Sequence, residues 1–447
     1  MLWTREQAKA LIDRTLSFSK ADETFVQFNG RETANLRFAR NTATTSGATA
    51  SNNLAVTAKI GKKSGTVTTA EFDDGSLQRA VAAALEIARL SPENPEAMPV
   101  LEPQKYAQTS AYFGDVAGAS ADWRASAVAT AIALSKKQDV LSAGFVNTGA
   151  YATAIGNSKG LFGFDRFTSV EYNLTARTSD GSGSGWAARS YNELRLLDAE
   201  RLARTAIEKA VKSKNPSAIE PGKYTVVLEA PAVADLLAIM TFFAGARQAD
   251  EGRSVFSKKG GGNRIGERIL ADKVNIYVDP VYALAPTIGF GRDGLPTRRD
   301  SFVEKGVLKE LNYSRFWALK HSKQPTSPTP NIIMDGGTAT LDELIAGTER
   351  GVLVTRFWYI RPLDPQTMLL TGLTRDGLFL IEGGKVTRPI KNMRWNESPI
   401  VAFNNIEAMT APERVVSGEG YGESGLSVVC PAARIREFTF SSASDAV

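Results

Sequence analysis

Glycine sets the strongest limit on how this chain can fold. There are 38 glycines in 447 residues, and they recur between short stretches in which apolar and polar residues alternate. That pattern favours turn-rich β structure over a helical bundle. In the first half, residues 24–38 read as two short strands around the hairpin signal Asn29-Gly30. Residues 54–60 and 65–69 read as strands joined by Gly61, and 141–192 as a run of antiparallel strands. Helical periodicity marks 4–18, 74–90, 121–138 and 197–212. The second half is mostly strand signal, with one helix at about 231–248 and a shorter one at 340–346. Asn215-Pro216 through Pro221-Gly222 is the best boundary. The expected fold class is α+β. An N-terminal α+β domain, 1–215, carries an antiparallel sheet with flanking helices. A C-terminal β-rich domain, 216–447, forms a sandwich or barrel.

Composition narrows the function classes. Hydrophobic residues make up 43% and charged residues 23% of the chain, which is ordinary globular usage. The net charge of +5 is spread along the sequence. The densest basic cluster is Lys258-Lys259 with Arg264 and Arg268, too sparse for a nucleic-acid-reading face. The start lacks the apolar core of a signal peptide. The longest apolar run, 236–246, is too short to span a bilayer. No nucleic-acid partner, no membrane and a cytoplasmic location are therefore expected. The single cysteine excludes an intrachain disulfide framework.

His321 is the only histidine and Cys430 the only cysteine. A catalytic zinc site usually takes three protein ligands, and a Ser-His-Asp triad would have to use His321. The commonest hydrolase chemistries at neutral pH are nearly closed. His321 reads as a solvated loop residue and Cys430 as a buried, inert thiol. Gly260-Gly261-Gly262 lacks the G-K-[ST] ending of a phosphate cradle and reads as a mobile loop. Asp279, Asp293, Asp300, Asp335 and Asp376 could build an oxygen-only site for Mg²⁺ or Ca²⁺. Their Gly and Pro neighbours equally suit turn chemistry.

Several segments, in order, resemble the TldD/PmbA (TldD/TldE) family. They include Leu36-Arg37-Phe38 with Asn41, and the stretch Gly289-Phe290-Gly291-Arg292-Asp293-Gly294-Leu295-Pro296-Thr297-Arg298-Arg299. Gly372 through Gly384, Pro389 through Ser398, and Pro431 through Phe438 continue the likeness across nearly the whole chain. The resemblance implies a paired complex. One subunit carries H-E-x-x-x-H on a helix and a downstream Cys that together hold a catalytic zinc. The other, PmbA- or TldE-like, lacks the motif.

Registering the family's "GxSxF" signature on Gly252-Arg253-Ser254-Val255-Phe256 puts the first His at Met240, the Glu at Thr241 and the second His at Gly245. The family's Cys falls at Tyr421. No catalytic residue, cofactor site or metal ligand is therefore expected in this chain. Met240, Phe242 and Phe243 read either as core or as lining of a peptide cleft or subunit interface. The resemblance implies a non-catalytic subunit of a zinc metalloprotease complex, with zinc in a TldD-like heterodimer partner and a peptide or unfolded protein as substrate. Two alternatives stand beside it: a homodimeric peptide-binding scaffold without catalysis, and a hydrolase using carboxylate rather than zinc chemistry.

Overall fold

The computed structural model describes residues 2–416 and 426–444. Strands β1 (Glu23–Ala39), β2 (Thr42–Ile60), β3 (Lys63–Thr69), β4 (Val140–Asn157), β5 (Phe162–Thr178) and β6 (Ser184–Tyr191) form one antiparallel sheet. Its order is β3-β2-β1-β4-β5-β6. Helices α1 (Arg5–Ser17) and α2 (Asp74–Leu90) cover one part of it, meeting Val26, Phe28, Leu54 and Val56 through Leu11, Ile12, Leu77 and Val81. A short turn, α3 (Gly114–Ala117), leads into α4 (Ala121–Lys137). Together with α5 (Ala199–Lys212), α4 buries Val146, Val170, Tyr172 and Leu174. Thr4 starts α1 as a capping box with Gln7, which satisfies two otherwise orphaned amides.

Helix and sheet approach closely at two glycines. A Cβ on Gly65 of β3 would sit 2.3 Å from the Ala84 carbonyl of α2, and one on Gly185 of β6 would sit 2.1 Å from the Ala206 carbonyl of α5. No side chain fits at either place.

The hairpin expected at Asn29-Gly30 does not form. β1 runs through without a break, because Gly30 is held extended between Asn52 of β2 and Ala152 of β4. The turn comes at Arg40 (φ 50°) and Asn41 (φ 58°), the paired positive dihedrals of a tight hairpin. Asn41 is fixed there by its own amide. It donates to the Val140 carbonyl at 2.7 Å and accepts from the Ser142 N–H at 2.8 Å.

β2 is divided along its length. Residues 54–59 pair with both β1 and β3, whereas among the described residues 42–53 pair with β1 alone, with a register irregularity at 43–45. Thr42–Ala50 is exposed at every position.

The second half begins with β7 (Gly222–Leu228) and helix α6 (Ala230–Phe242), followed by α7 (Ala246–Asp250). Next come β8 (Ile276–Val278), β9 (Asp300–Glu304), β10 (Val307–Leu308), α8 (Arg315–Lys320), β11 (Asn331–Met334) and α9 (Leu341–Ala346). The order continues with β12 (Arg350–Asp364), β13 (Leu369–Glu382), β14 (Lys385–Pro389), β15 (Met393–Glu397) and α10 (Pro399–Asn404). Last are β16 (Ile406–Met409), β17 (Glu413–Val415), β18 (Ser427–Cys430) and β19 (Ala433–Ala443).

β12 pairs with β7 on one side and β13 on the other, so the sheet β12-β7-β19-β15-β13 closes into a barrel. A second sheet runs β10-β9-β8-β11-β18-β17. α6 packs against β7 and β12 of the barrel and against β17 and β18 of the second sheet. Ala230 to Thr241 are all buried. A helix apolar at nearly every position belongs inside, and here it is enclosed from both directions.

Buried polar contacts fasten the halves together. Asp376 accepts from Ser184 Oγ and from Arg356, whose guanidinium lies over the Trp186 ring. Lys209 at the end of α5 meets Glu229, the residue before α6, at 2.6 Å. Asp165 of β5 accepts the Gly289 N–H at 2.7 Å, and Tyr106 Oη donates to the Gly294 carbonyl at 2.9 Å. Among the described residues no helix is long and apolar enough to cross a membrane.

Candidate functional site

The positions that resemblance singled out lie where α6 ends. The helix expected over 231–248 stops at Phe242. The chain leaves helical geometry at Phe243–Gly245 and re-enters it as α7. Alanine and methionine favour continuation, but the backbone finds another partner. Asn312 donates its N–H to the Ala244 carbonyl at 2.8 Å, accepts the Ala246 N–H at 3.1 Å, and reaches the Thr241 carbonyl through Nδ2 at 3.3 Å. Thr241 bonds back to the Leu237 and Ala238 carbonyls, a contact that bends helices.

The three cleft candidates separate. Met240 is wholly buried within the large core around α6, and Phe243 packs half-buried against the same core. Phe242 is 59% exposed and stands edge-on to Phe243 at 5.2 Å. Thr241 is buried, and Gly245 precedes α7 as its N-cap. Tyr421 lies outside the described residues. Met240, Thr241 and Gly245, the residues that the resemblance sets at the motif positions, supply neither imidazole nor carboxylate. The described residues hold no group of three His, Cys, Asp or Glu side chains able to bind a metal. This donor set does not fit zinc.

Beside the break lies a cavity of about 30 Å³, lined by Thr241, Ala244, Asp300, Glu310, Asn312 and Ser327. That is room for about one water, not for a peptide. Burial, and then the charge of Asp300, hold the Glu310 carboxyl above its ordinary range.

The five aspartates are dispersed among separate tasks. Asp279 pairs with Arg299 at 3.3 Å and accepts from Val281 N–H; Asp293 accepts from Leu295 N–H within its turn. Asp300 holds Arg298 and the Ser327 N–H, and Asp335 accepts from Tyr277 Oη at 3.1 Å. Burial pushes that phenol to about 12. Asp376 is the inter-domain pin described above.

His321 is less free than a loop residue. It caps the end of α8, lies 4.7 Å from the Trp317 ring centroid, and sits 3.9 Å from Asp250. Cys430 is fully buried and donates its S–H to the Ala230 carbonyl at 3.2 Å. Burial raises its thiol well above the ordinary value. The three glycines at 260–262 all have positive φ and close a turn through Lys258.

Two features escaped the sequence reading. Asp235, fully buried on α6, accepts the Phe357 N–H at 3.4 Å. Beyond Phe357, β12 exposes Trp358 and Tyr359, each beneath a stacked arginine, Arg375 and Arg361, at 4.2 Å. The run Phe357-Trp358-Tyr359 was visible. What it lacked was any sign that register shifts in β12 would turn two of the rings outward.

Comparison with known proteins places this arrangement. The model of the PmbA/TldA metallopeptidase C-terminal domain matches residues 221–442. The central domain matches 119–214, and domain 1 matches 26–88. The chain belongs to the PmbA/TldD family.

A metalloprotease of Methanothermobacter thermautotrophicus is 26% identical to this PmbA/TldD protein over 288 residues, which are 58% of this chain and 60% of that relative. The match thus reaches less than two thirds of the relative's length. The crystal structure of TldE from Thermococcus kodakarensis superposes with a TM-score of 0.84 at 17% identity, covering 97% of this chain and 99% of that one. A proposed modulator of a DNA gyrase from Thermotoga maritima gives 0.83 at 17% identity, over 97% and 100%. A second such protein, from Bacteroides thetaiotaomicron, gives 0.81 at 20% identity, over 98% and 99%. The whole PmbA/TldD architecture, both halves included, is common to these structures.

Proposed function

We infer that this chain is the non-catalytic, TldE-like subunit of a two-subunit zinc peptidase that cleaves peptides or unfolded segments. The observation that carries the inference is the character of α6. At the positions where the family's catalytic subunits place two histidines and a glutamate, this chain holds Met240 and Thr241 in the last turn of α6 and Gly245 beyond its end. Met240 is committed to the core. A zinc ion and its general base must then come from a TldD-like partner, and this chain contributes walls to the cleft. Phe242, Trp358 and Tyr359 are the exposed aromatic groups suited to that contact, because Trp, Tyr and Arg dominate well-packed interfaces. The test is to co-express the chain with an H-E-x-x-x-H partner from the same host and assay each alone and together. Zinc-dependent peptide cleavage is expected only with the partner present. Cleavage by this chain alone would overturn the assignment.

A further inference from the structure

We propose that the free edge of β2, over residues 42–53, is a binding site for an extended peptide segment with large apolar side chains at alternate positions. The inference stands apart from the catalytic pairing, because it concerns this chain alone.

Three observations carry it. First, among the described residues 42–53 of β2 bond only to β1, so the outward backbone groups form an open row. At about 3.3 Å per residue this edge is on the order of 40 Å long. Second, the sequence Thr42-Ala43-Thr44-Thr45-Ser46-Gly47-Ala48-Thr49-Ala50-Ser51-Asn52-Asn53 has neither charge nor proline. Natural sheets protect exposed edges with lysine, proline, bulges or a covering element; this one has a register irregularity at 43–45, beside its turn, and carries neither lysine nor proline from there to Asn53. Third, a groove of about 330 Å³ opens beside the edge, at the lower end of the size that takes a ligand side chain or small molecule.

The groove's floor follows from the register. Ala48 faces Ala34, which faces Thr148; Ala50 faces Glu32, which faces Ala150. Residues directly opposite one another share a sheet face. The floor is thus mostly methyl groups, and Val116, Ala117 and Ala119 wall it. Strand addition supplies sequence-tolerant main-chain hydrogen bonds, while a pocket for alternate side chains supplies selectivity. A Leu or Phe opposite Ala48 would lean over that methyl into the groove.

A second copy of this chain is the poorer occupant. Two β2 edges paired antiparallel about Gly47 would set Ala48 against Ser46 and Ala50 against Thr44, and no side chain would be large enough to fill the groove. The edge also lies on the far side of the sheet from β6, the strand that meets β13 and β17 of the second half. A peptide bound there leaves the surface around α6 open.

The test uses the purified full chain without any partner. The probe is a fluorescein-labelled nonapeptide of sequence Lys-Thr-Leu-Thr-Val-Thr-Leu-Thr-Lys, followed by anisotropy, with the same peptide N-methylated along its backbone as control. Saturable binding is expected for the unmodified peptide. Binding should fall at least about tenfold for the methylated peptide, and likewise for Ala48→Phe and, as an independent variant, Ala50→Phe, each with an unchanged melting temperature. Equal affinity in both variants, or undiminished binding of the methylated peptide, would overturn the proposal. So would concentration-dependent dimerisation in sedimentation that the Phe variants abolish and the peptide cannot compete with.

Discussion

Residues 230–242 and 42–50 are both built from small or apolar side chains, and they share little else. α6 is buried at every position but Phe242, whereas Thr42–Ala50 of β2 is exposed throughout. In α6 the scarcity of charge, with Asp235 its one ionisable residue and accepting the Phe357 N–H, is what a helix closed in by two sheets requires. In β2 it cannot be a burial requirement, because nothing described here covers the strand. Sequence poor in charge therefore marks a finished surface in one place and an unfinished one in the other.

The largest expected effect tests the finished side. Met240→Ala should destabilise the protein by about 2–5 kcal/mol in urea denaturation, the range for truncating a buried large side chain. A cost under about 1 kcal/mol would mean that α6 is not enclosed as described.

A second effect, on the order of 2 kcal/mol, concerns the joint between the halves. Burial raises the Asp165 carboxyl from 3.8 to about 6, against the opposing pull of the Gly289 N–H. The folded state therefore holds this proton more tightly than the unfolded chain. Its contribution to stability is greatest below about pH 4 and is lost as pH rises through about 6. Asp165→Asn, which can still accept from Gly289, should match the parent near pH 4 and become the more stable of the two by pH 7. Paired denaturation curves across that window measure it, and a constant difference would remove Asp165 as the titrating group.

Smaller still is Asn312→Ala, which frees only the side-chain bond to Thr241 and should cost about 1 kcal/mol. Thr44→Ala on the open edge should change stability by no more than about 0.5 kcal/mol. If Thr44→Ala cost as much as Met240→Ala, the contrast between the two segments would collapse.

What could be read ahead of the structure follows the same physics. Helices α1, α2, α4 and α5 were legible because each keeps one apolar stripe against a sheet. The barrel strands were legible because β7 and β12 carry short apolar runs that are buried throughout, and the first half of β13 alternates. The segment 42–53 gave no strand signal, since a strand with no buried face has nothing to alternate. Asn29-Gly30 outweighed Arg40-Asn41 as a turn by residue type, but pairing on both sides of β1 decided the outcome. The end of α6 was hidden for a different reason: its terminating partner, Asn312, is 71 residues from Thr241. Within the candidate site, the lack of histidine and carboxylate side chains over 236–246 was visible at once. That Met240 and Phe242, two residues apart, would end on opposite sides of the surface depended on the break that follows them.

The place of β19 in the barrel sets a timetable for synthesis. β19 comes last among the described strands, yet it sits between β7 and β15. β7 emerges from the ribosome some two hundred residues before the strand that must lie next to it. The first sheet is complete once β6 is made and can mature while translation continues. The barrel has to wait. Until β19 arrives, β7 and β15 each lack a neighbour, and α6 has only part of its enclosure. A newly made chain therefore spends its most exposed interval with its most apolar helix uncovered, which is when a chaperone would have most to hold.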